Sequence, residues 1–160
     1  MIQVGDRLPA ANLKRLTAEG IKDVPVAELT RGKKVVLFAV PGAFTPTCSE
    51  QHLPGFVQQA AAIKAKGVDA IVCVAVNDPF VLSAWEKASA SDGRVELLSD
   101  GNAEFTRALG LDFDASAVGL GTRSKRYAMV VDDGVVRTLL VEDVPSQAEK
   151  SSAQAILATL

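Results

Sequence analysis

The sequence predicts an α/β fold in which a central mixed β-sheet is flanked by helices on both faces. Three observations predict it. The apolar runs at residues 35–40 and 70–76 have the length and β-branched content of buried parallel strands. Stretches with helix start and stop signals alternate with such runs. Near the C-terminus two further apolar runs flank an Asp-Gly turn, a hairpin that argues against an all-parallel sheet.

The elements follow in order. Residues 35–40 (VVLFAV) form the first central strand, and Pro41-Gly42-Ala43-Phe44 is a loop by its punctuation. In the helix that follows, Thr45 is placed to cap, Pro46 takes the first position and Glu50 falls in the early turns. It runs to about Lys66 and ends at Gly67, with Pro54-Gly55 expected to kink it or open a ladder bond. Residues 70–76 (AIVCVAV) form a second buried strand, and Asn77-Asp78-Pro79 starts a helix to about Ala90 with Val81, Leu82 and Trp85 on its apolar face. A short strand at 95–98 and a short helix at 102–109, closed by Gly110, come next. Residues 127–131 and 135–141 are the hairpin strands around Asp132-Asp133-Gly134. Pro145-Ser146 opens a last helix to Leu160, with Ala148, Ala155, Ile156 and Ala158 suited to docking on the sheet. Alternating strands and helices followed by a hairpin and a helix are the order of a thioredoxin-like fold. A doubly wound nucleotide-binding fold is the competitor, but neither GxGxxG nor GxxxxGK[ST] follows any strand.

A chain of 160 residues suits one domain, taken as 1–160. With 48% hydrophobic and 22% charged residues it has the balance of a globular protein with its own core. A net charge of −2 without a basic stripe makes nucleic acid and anionic membrane poor partners. The N-terminal stretch MIQVGDRLPAANLKRL has neither an apolar signal core nor the acid-poor character of a transit peptide, and no apolar run approaches the roughly 18 residues of a membrane span. A soluble, cytoplasmic protein is expected. Two Cys and one His, with no CxxC or HxxxH, leave little for a zinc or iron site and no disulfide framework, so no cofactor is expected.

Chemistry therefore rests on individual thiols, and Cys48 stands out. It falls in the first turn of a helix leaving a buried strand, where unpaired N–H groups and the helix dipole favour an anion and hence the thiolate. The alternative is a small hydrophobe packed in a core. Thr45 can cap the helix or turn its hydroxyl toward the Cys48 sulfur and an incoming oxygen. Pro41 either ends the strand or shields the thiolate from water.

The segment PGAFTPTCS, residues 41–49, contains the P-x-x-x-T-x-x-C signature of peroxiredoxins, and with VNDPFVLSAW and RSKRYAMVVDDGVV downstream the chain resembles their type II, peroxiredoxin-5-like branch over nearly its whole length. The resemblance implies a thioredoxin-like fold and a hydroperoxide-reducing enzyme without metal or flavin. It makes Cys48 the peroxidatic nucleophile, Thr45 a hydrogen-bonding partner of peroxide and thiolate, and Pro41 a shield. From the residues alone, Arg123, Lys125 and Arg126 read as a solvated basic turn before a strand. The match places the family's catalytic arginine at Arg123, with Arg126 as a supporting contact.

Peroxide attacked by the thiolate would leave Cys48 as a sulfenic acid. Many relatives resolve it with a Cys near the C-terminus, but VEDVPSQAEKSSAQAILATL contains none. Cys73, the only other thiol, lies mid-strand and reads as packed, with a resolving role left open. A one-Cys cycle recycled by glutathione/glutaredoxin or thioredoxin is expected, and the family suggests a homodimer in which Phe44 contributes. His52, four residues after Cys48, reads as structural or electrostatic. The competing functions are a thioredoxin-fold redox-sensing, chaperone or binding module, a disulfide oxidoreductase and a Cys hydrolase, all separable by peroxide dependence.

Overall fold

The computed structural model describes residues 1–91 and 93–160. Apolar runs become central strands: β3 (Lys34–Val40), β4 (Ala70–Ala75) and β5 (Glu96–Ser99) lie side by side in parallel, with Phe38 opposite Cys73 and Cys73 opposite Leu97. On the other side of β3, the hairpin of β8 (Tyr127–Asp132) and β9 (Val135–Val141) runs antiparallel. Its two-residue loop places Asp133 at φ 49° and Gly134 at φ 80°, the left-handed pair that Asp-Gly accommodates in such a turn.

Beyond β5 the sheet continues into a hairpin not expected from the sequence, β1 (Asn12–Thr17) and β2 (Gly20–Pro25). Its strands NLKRLT and GIKDVP are an edge, largely solvated and charged, with Lys14 paired to Asp23 across the strands. Edge strands carry such charges and lack a long apolar run. The full order is β2-β1-β5-β4-β3-β8-β9 among the described residues, and a small antiparallel pair, β6 (Asp112–Asp114) and β7 (Thr122–Ser124), stands apart.

Period-two alternation divides the core. Val36, Phe38, Val40, Ile71, Cys73, Ala128 and Val130 face one side, against α2 (Leu53–Ala65), α3 (Pro79–Ala88) and α5 (Ala153–Leu157). Val35, Leu37, Ala39, Val72, Val74 and Met129 face the other, against α1 (Val26–Thr30) and α4 (Glu104–Leu109). Helices thus cover both faces, in the thioredoxin-like arrangement expected. None of the described helices is long and apolar enough to cross a membrane.

Three helix boundaries carry information. Asp78 caps α3 by accepting the Val81 N–H at 2.9 Å. The helix after Thr45 holds a π-helical turn, Cys48–His52, directly before Pro54, with the Leu53 N–H bonded to the Cys48 carbonyl. Proline has no N–H to offer the carbonyl four residues back, and the wider turn absorbs the missing bond. The last helix is much shorter than expected: it starts at Ala153 and is capped by Ser152, not by Pro145-Ser146. Carbonyls ahead of it bond to other segments, Pro145 to Arg126, Ser146 to Thr47 and Ser151 to His52, so they are not free for a helical ladder.

Candidate active site

The site begins where β3 ends. Pro41 and Gly42 lead into Phe44, whose φ of 63° puts an aromatic residue in the left-handed region, an uncommon conformation that needs surrounding restraint. The restraint is visible. The Ala43 N–H donates to Asn77 Oδ1 at 2.9 Å, and Thr45 Oγ1 donates to the Gly42 carbonyl at 2.7 Å. A Cβ on Gly42 would stand 3.2 Å from Thr45 Cγ2 and 3.3 Å from Arg123 Nη1, so the small residue permits the close fold of the loop. Thr45 therefore does not cap the helix with its side chain, one of the two roles its position in the sequence had left open. Its proton is committed to Gly42, leaving oxygen lone pairs as acceptors.

Cys48 opens the π-helical turn and is fully buried. The first ladder bond of this helix is from the Ser49 N–H to the Thr45 carbonyl at 2.9 Å, so the Thr47 and Cys48 N–H groups precede the ladder, on its positive end. Arg126 Nη2 donates to Cys48 Sγ at 3.0 Å. The same guanidinium reaches His52 Nδ1 through Nη1 at 3.0 Å and donates from Nε to the Pro145 carbonyl at 3.0 Å. Those three bonds fix the plane of the fork.

The protonation of His52 follows from its neighbours. A guanidinium has no acceptor, so Nδ1 must be a lone pair. The Ser151 carbonyl has no donor, so Nε2, 2.9 Å away, must carry the hydrogen. The His52 pKa is pushed down to about 3, by burial first and by the Arg126 charge as well, against the Ser151 bond that raises it. The ring is also held by Phe38 and Phe56, with centroids at 4.9 Å and 5.5 Å. His52 is a neutral bracket, without the proton-accepting geometry toward Cys48 that a Cys hydrolase needs.

In front of this cluster lies an open cavity of about 530 Å³ lined by Pro41, Thr45 and Arg126, with Phe113, Val118 and Leu120 among its apolar walls. Three of the five N–H donors of Arg126 are used, and among the described residues the other two have no protein partner. Thr45 and Arg126 thus line one cavity, and Arg126 links it to the fully buried Cys48 sulfur.

The two arginines exchange places relative to the sequence expectation. Arg123 does not reach the sulfur. Its Nε donates to the Leu120 carbonyl at 2.8 Å and its Nη1 to Val76 O at 3.0 Å, clamping the loops around Gly42. Arg126 takes the Cys48 contact because it precedes β8 in phase with Ala128 and Val130, which face the Cys48 cluster. That period-two phase becomes readable once the face of β8 turned toward Cys48 is known. Cys73 stays inside β4, where burial, before any charge, pushes its thiol pKa well up. Phe44 is 54% exposed beside the site, with its ring 6.5 Å from Trp85. The sequence reading missed Glu142 and Ser151, which hold the chain behind His52, and Ser49, whose hydroxyl accepts the Trp85 indole N–H at 3.0 Å.

Comparison with known proteins follows the same line. The family named Redoxin matches residues 3–157. Peroxiredoxin-2E-2, chloroplastic, of Oryza sativa subsp. japonica is 59% identical over 147 residues, 89% of this chain and 65% of that protein. The chain thus spans less than two thirds of that relative's length, but 98% of Peroxiredoxin-2C from the same organism, at 49% identity over 99% of this chain. Among solved structures, reduced Prx3 of Vibrio vulnificus in complex with H2O2 superposes with a TM-score of 0.94 at 55% identity, covering 99% of both chains. The family match over residues 3–157, with the shared fold and these identities, places this chain in the redoxin family, in its type II peroxiredoxin branch.

Proposed function

We propose that this chain is a thiol peroxidase that reduces hydrogen peroxide and alkyl hydroperoxides with Cys48 as the nucleophile. The observation that carries the reading is the 3.0 Å bond from Arg126 Nη2 to Cys48 Sγ at a helix start, beside a cavity that Thr45 and Pro41 also line. The solved relative holding H2O2 supports the substrate class.

The Cys48 thiolate attacks the nearer peroxide oxygen, the S–O bond forms as the O–O bond breaks, and the farther oxygen leaves as water or alcohol after taking a proton. Cys48 becomes a sulfenic acid. Thr45 Oγ1, its own proton held by Gly42, accepts from the peroxide hydroxyl and orients the O–O bond. The free Arg126 N–H groups donate to the leaving oxygen as its charge grows, a contribution that is larger in the transition state than in the ground state. Pro41 contributes an N–H-free wall at the cavity. Arg123 keeps the loop in shape, and His52 keeps Arg126 in place.

For the return half-cycle we favour a one-Cys route in which glutathione/glutaredoxin or thioredoxin reduces the sulfenate. Support comes from Cys73, whose backbone is paired on both sides and whose thiol is buried in the sheet. We place this chemistry on residues 1–160 as one domain acting in the cytoplasm, as a homodimer in which the exposed Phe44 packs against a second copy. Rapid mixing of reduced protein with hydrogen peroxide, followed by Trp85 fluorescence and intact mass, tests the core of the reading. A gain of one oxygen on Cys48, absent in Cys48→Ser, supports it. Loss of two hydrogens moves Cys73 into the resolving role. No reaction in excess peroxide leaves a redox-inert binding module as the better reading.

A further inference from the structure

Behind the site the fold buries a carboxylate that hydrogen-bonds neither Cys48 nor Thr45 among the described residues. Glu142, one residue past β9, accepts both the N–H and the hydroxyl of Ser151 on Oε2, each at 2.5 Å. Ser151, in turn, presents its carbonyl to His52 Nε2, and His52 Nδ1 faces Arg126 Nη1. The Glu142 N–H donates to the Arg126 carbonyl at 3.0 Å. These bonds close a ring, Glu142–Ser151–His52–Arg126–Glu142, and every member is buried.

We propose that Glu142 is a positioning residue for the Cys48 reaction: by holding Ser151 it selects the His52 tautomer whose Nδ1 lone pair orients the Arg126 guanidinium on Cys48. A neutral imidazole has two tautomers, and only one is compatible with Arg126. The Nδ1–H form would set a hydrogen against the guanidinium's own hydrogens and push the fork off the sulfur. The Ser151 carbonyl excludes that form by demanding a hydrogen on Nε2. Ser151 belongs to a stretch of turns without a regular ladder, so its carbonyl is placed by local anchors, and the two bonds to Glu142 are the buried ones. Removing them frees the carbonyl, then the tautomer, then the fork. This inference rests on the thiol peroxidase reading for its functional meaning, although its first link is readable without it.

The single His makes the test clean, because imidazole 15N NMR then reports one residue. Wild type should show His52 wholly as Nε2–H. Glu142→Gln, which keeps an acceptor oxygen, should preserve that signal and the rate with hydrogen peroxide. Glu142→Leu, which keeps bulk without an acceptor, should populate the Nδ1–H form and slow the peroxide reaction by about tenfold. Ser151→Ala removes only the hydroxyl bond and, should Glu142→Leu not fold, serves in its place, with a detectable Nδ1–H fraction and a rate loss of a few-fold. A folded Glu142→Leu or Ser151→Ala protein with unchanged tautomer overturns the proposal, whether its rate is kept or lost. A shifted tautomer with an unchanged rate also overturns it. Wild-type protein inert to peroxide would sink the peroxidase reading instead, and iodoacetamide alkylation of Cys48 would then supply the rate.

Discussion

Cys48 and Cys73 are equally hidden, at 0% and 1% exposed, and belong to the same apolar cluster. Their surroundings differ in the one respect that matters to sulfur. Cys73 is flanked by Phe38 and Leu97 in a parallel ladder, and burial there, with the Cys48 charge adding to it, raises its thiol pKa by more than the Arg126 charge lowers it. Cys48 meets a guanidinium at 3.0 Å and the open end of a helix. Depth alone does not decide whether a thiol is inert. What distinguishes the two sulfurs is the donor aimed at one of them, from an arginine that also lines the neighbouring cavity.

The sharpest way to break this contrast is to exchange the thiols' fates by substitution. Cys48→Ser should reduce the second-order rate with hydrogen peroxide by on the order of 10⁴-fold or more, since the nucleophile itself is gone. Stopped-flow fluorescence from Trp85, which is bonded to Ser49 next to Cys48, reads it directly. A rate retained within tenfold would mean that Cys73 does the chemistry after all.

The arginine pair comes second in size. Arg126→Ala should cost roughly 10²–10³-fold in kcat/KM for peroxide, the usual loss when one donor to a developing negative charge is removed. Arg126→Lys should recover little of it, because an ammonium cannot reach Sγ, His52 and the Pro145 carbonyl as one planar fork. Arg123→Ala leaves the Leu120 and Val76 carbonyls without their donor and should cost about 1–3 kcal/mol in urea unfolding, with a smaller loss of rate. Equal rate losses at the two positions would erase the distinction drawn between donor and clamp.

Why the arginines exchanged roles shows how far the sequence could be read. Pro41, Thr45 and Cys48 lie in one continuous stretch at the end of a long apolar strand, so spacing brings them together without knowledge of the fold. The arginine arrives from 78 residues away, and choosing Arg126 over Arg123 requires the phase of β8. That phase is carried by Ala128 and Val130, small and unremarkable letters until the opposing face is known. The central strands were legible because burial on both faces leaves uninterrupted apolar runs. The β1–β2 hairpin was not, because an edge needs charges where a core strand would have Val or Ile. The C-terminal stretch misled for a different reason: its Gln, Ala, Glu and Lys suit a helix, but its carbonyls are taken by Arg126, Thr47 and His52.

His52 extends the contrast to pH. Its ordinary pKa of 6.5 in the unfolded chain falls to about 3 in the folded protein, so the unfolded state binds the extra proton first as pH drops. The stability associated with a neutral His52 is complete above pH 6.5 and declines as pH falls from there toward 3, at up to about 1.4 kcal/mol per pH unit. Urea unfolding of wild type and His52→Gln, measured between pH 7 and pH 4.5, should diverge in slope by that amount, with wild type the steeper. Parallel slopes would mean that the imidazole is already charged when folded, which its contact with Arg126 makes costly.

The smallest effect belongs to the quieter thiol. Cys73→Ala removes a sulfur from a packed strand and leaves a small cavity, so a loss of about 1–2 kcal/mol is expected, with peroxide kinetics preserved within about twofold. Cys73→Ser should be worse for stability, since a hydroxyl placed among Phe38, Leu97 and their apolar neighbours needs a partner that the sheet interior is poor in. The ranking serine below alanine is what a packing role demands. A resolving role demands another outcome: both variants would stop turnover after one oxidation while leaving the first reaction with peroxide intact. Single-turnover and steady-state rates measured side by side on Cys73→Ala therefore separate the two thiols' duties, even where the difference in stability between the variants is slight.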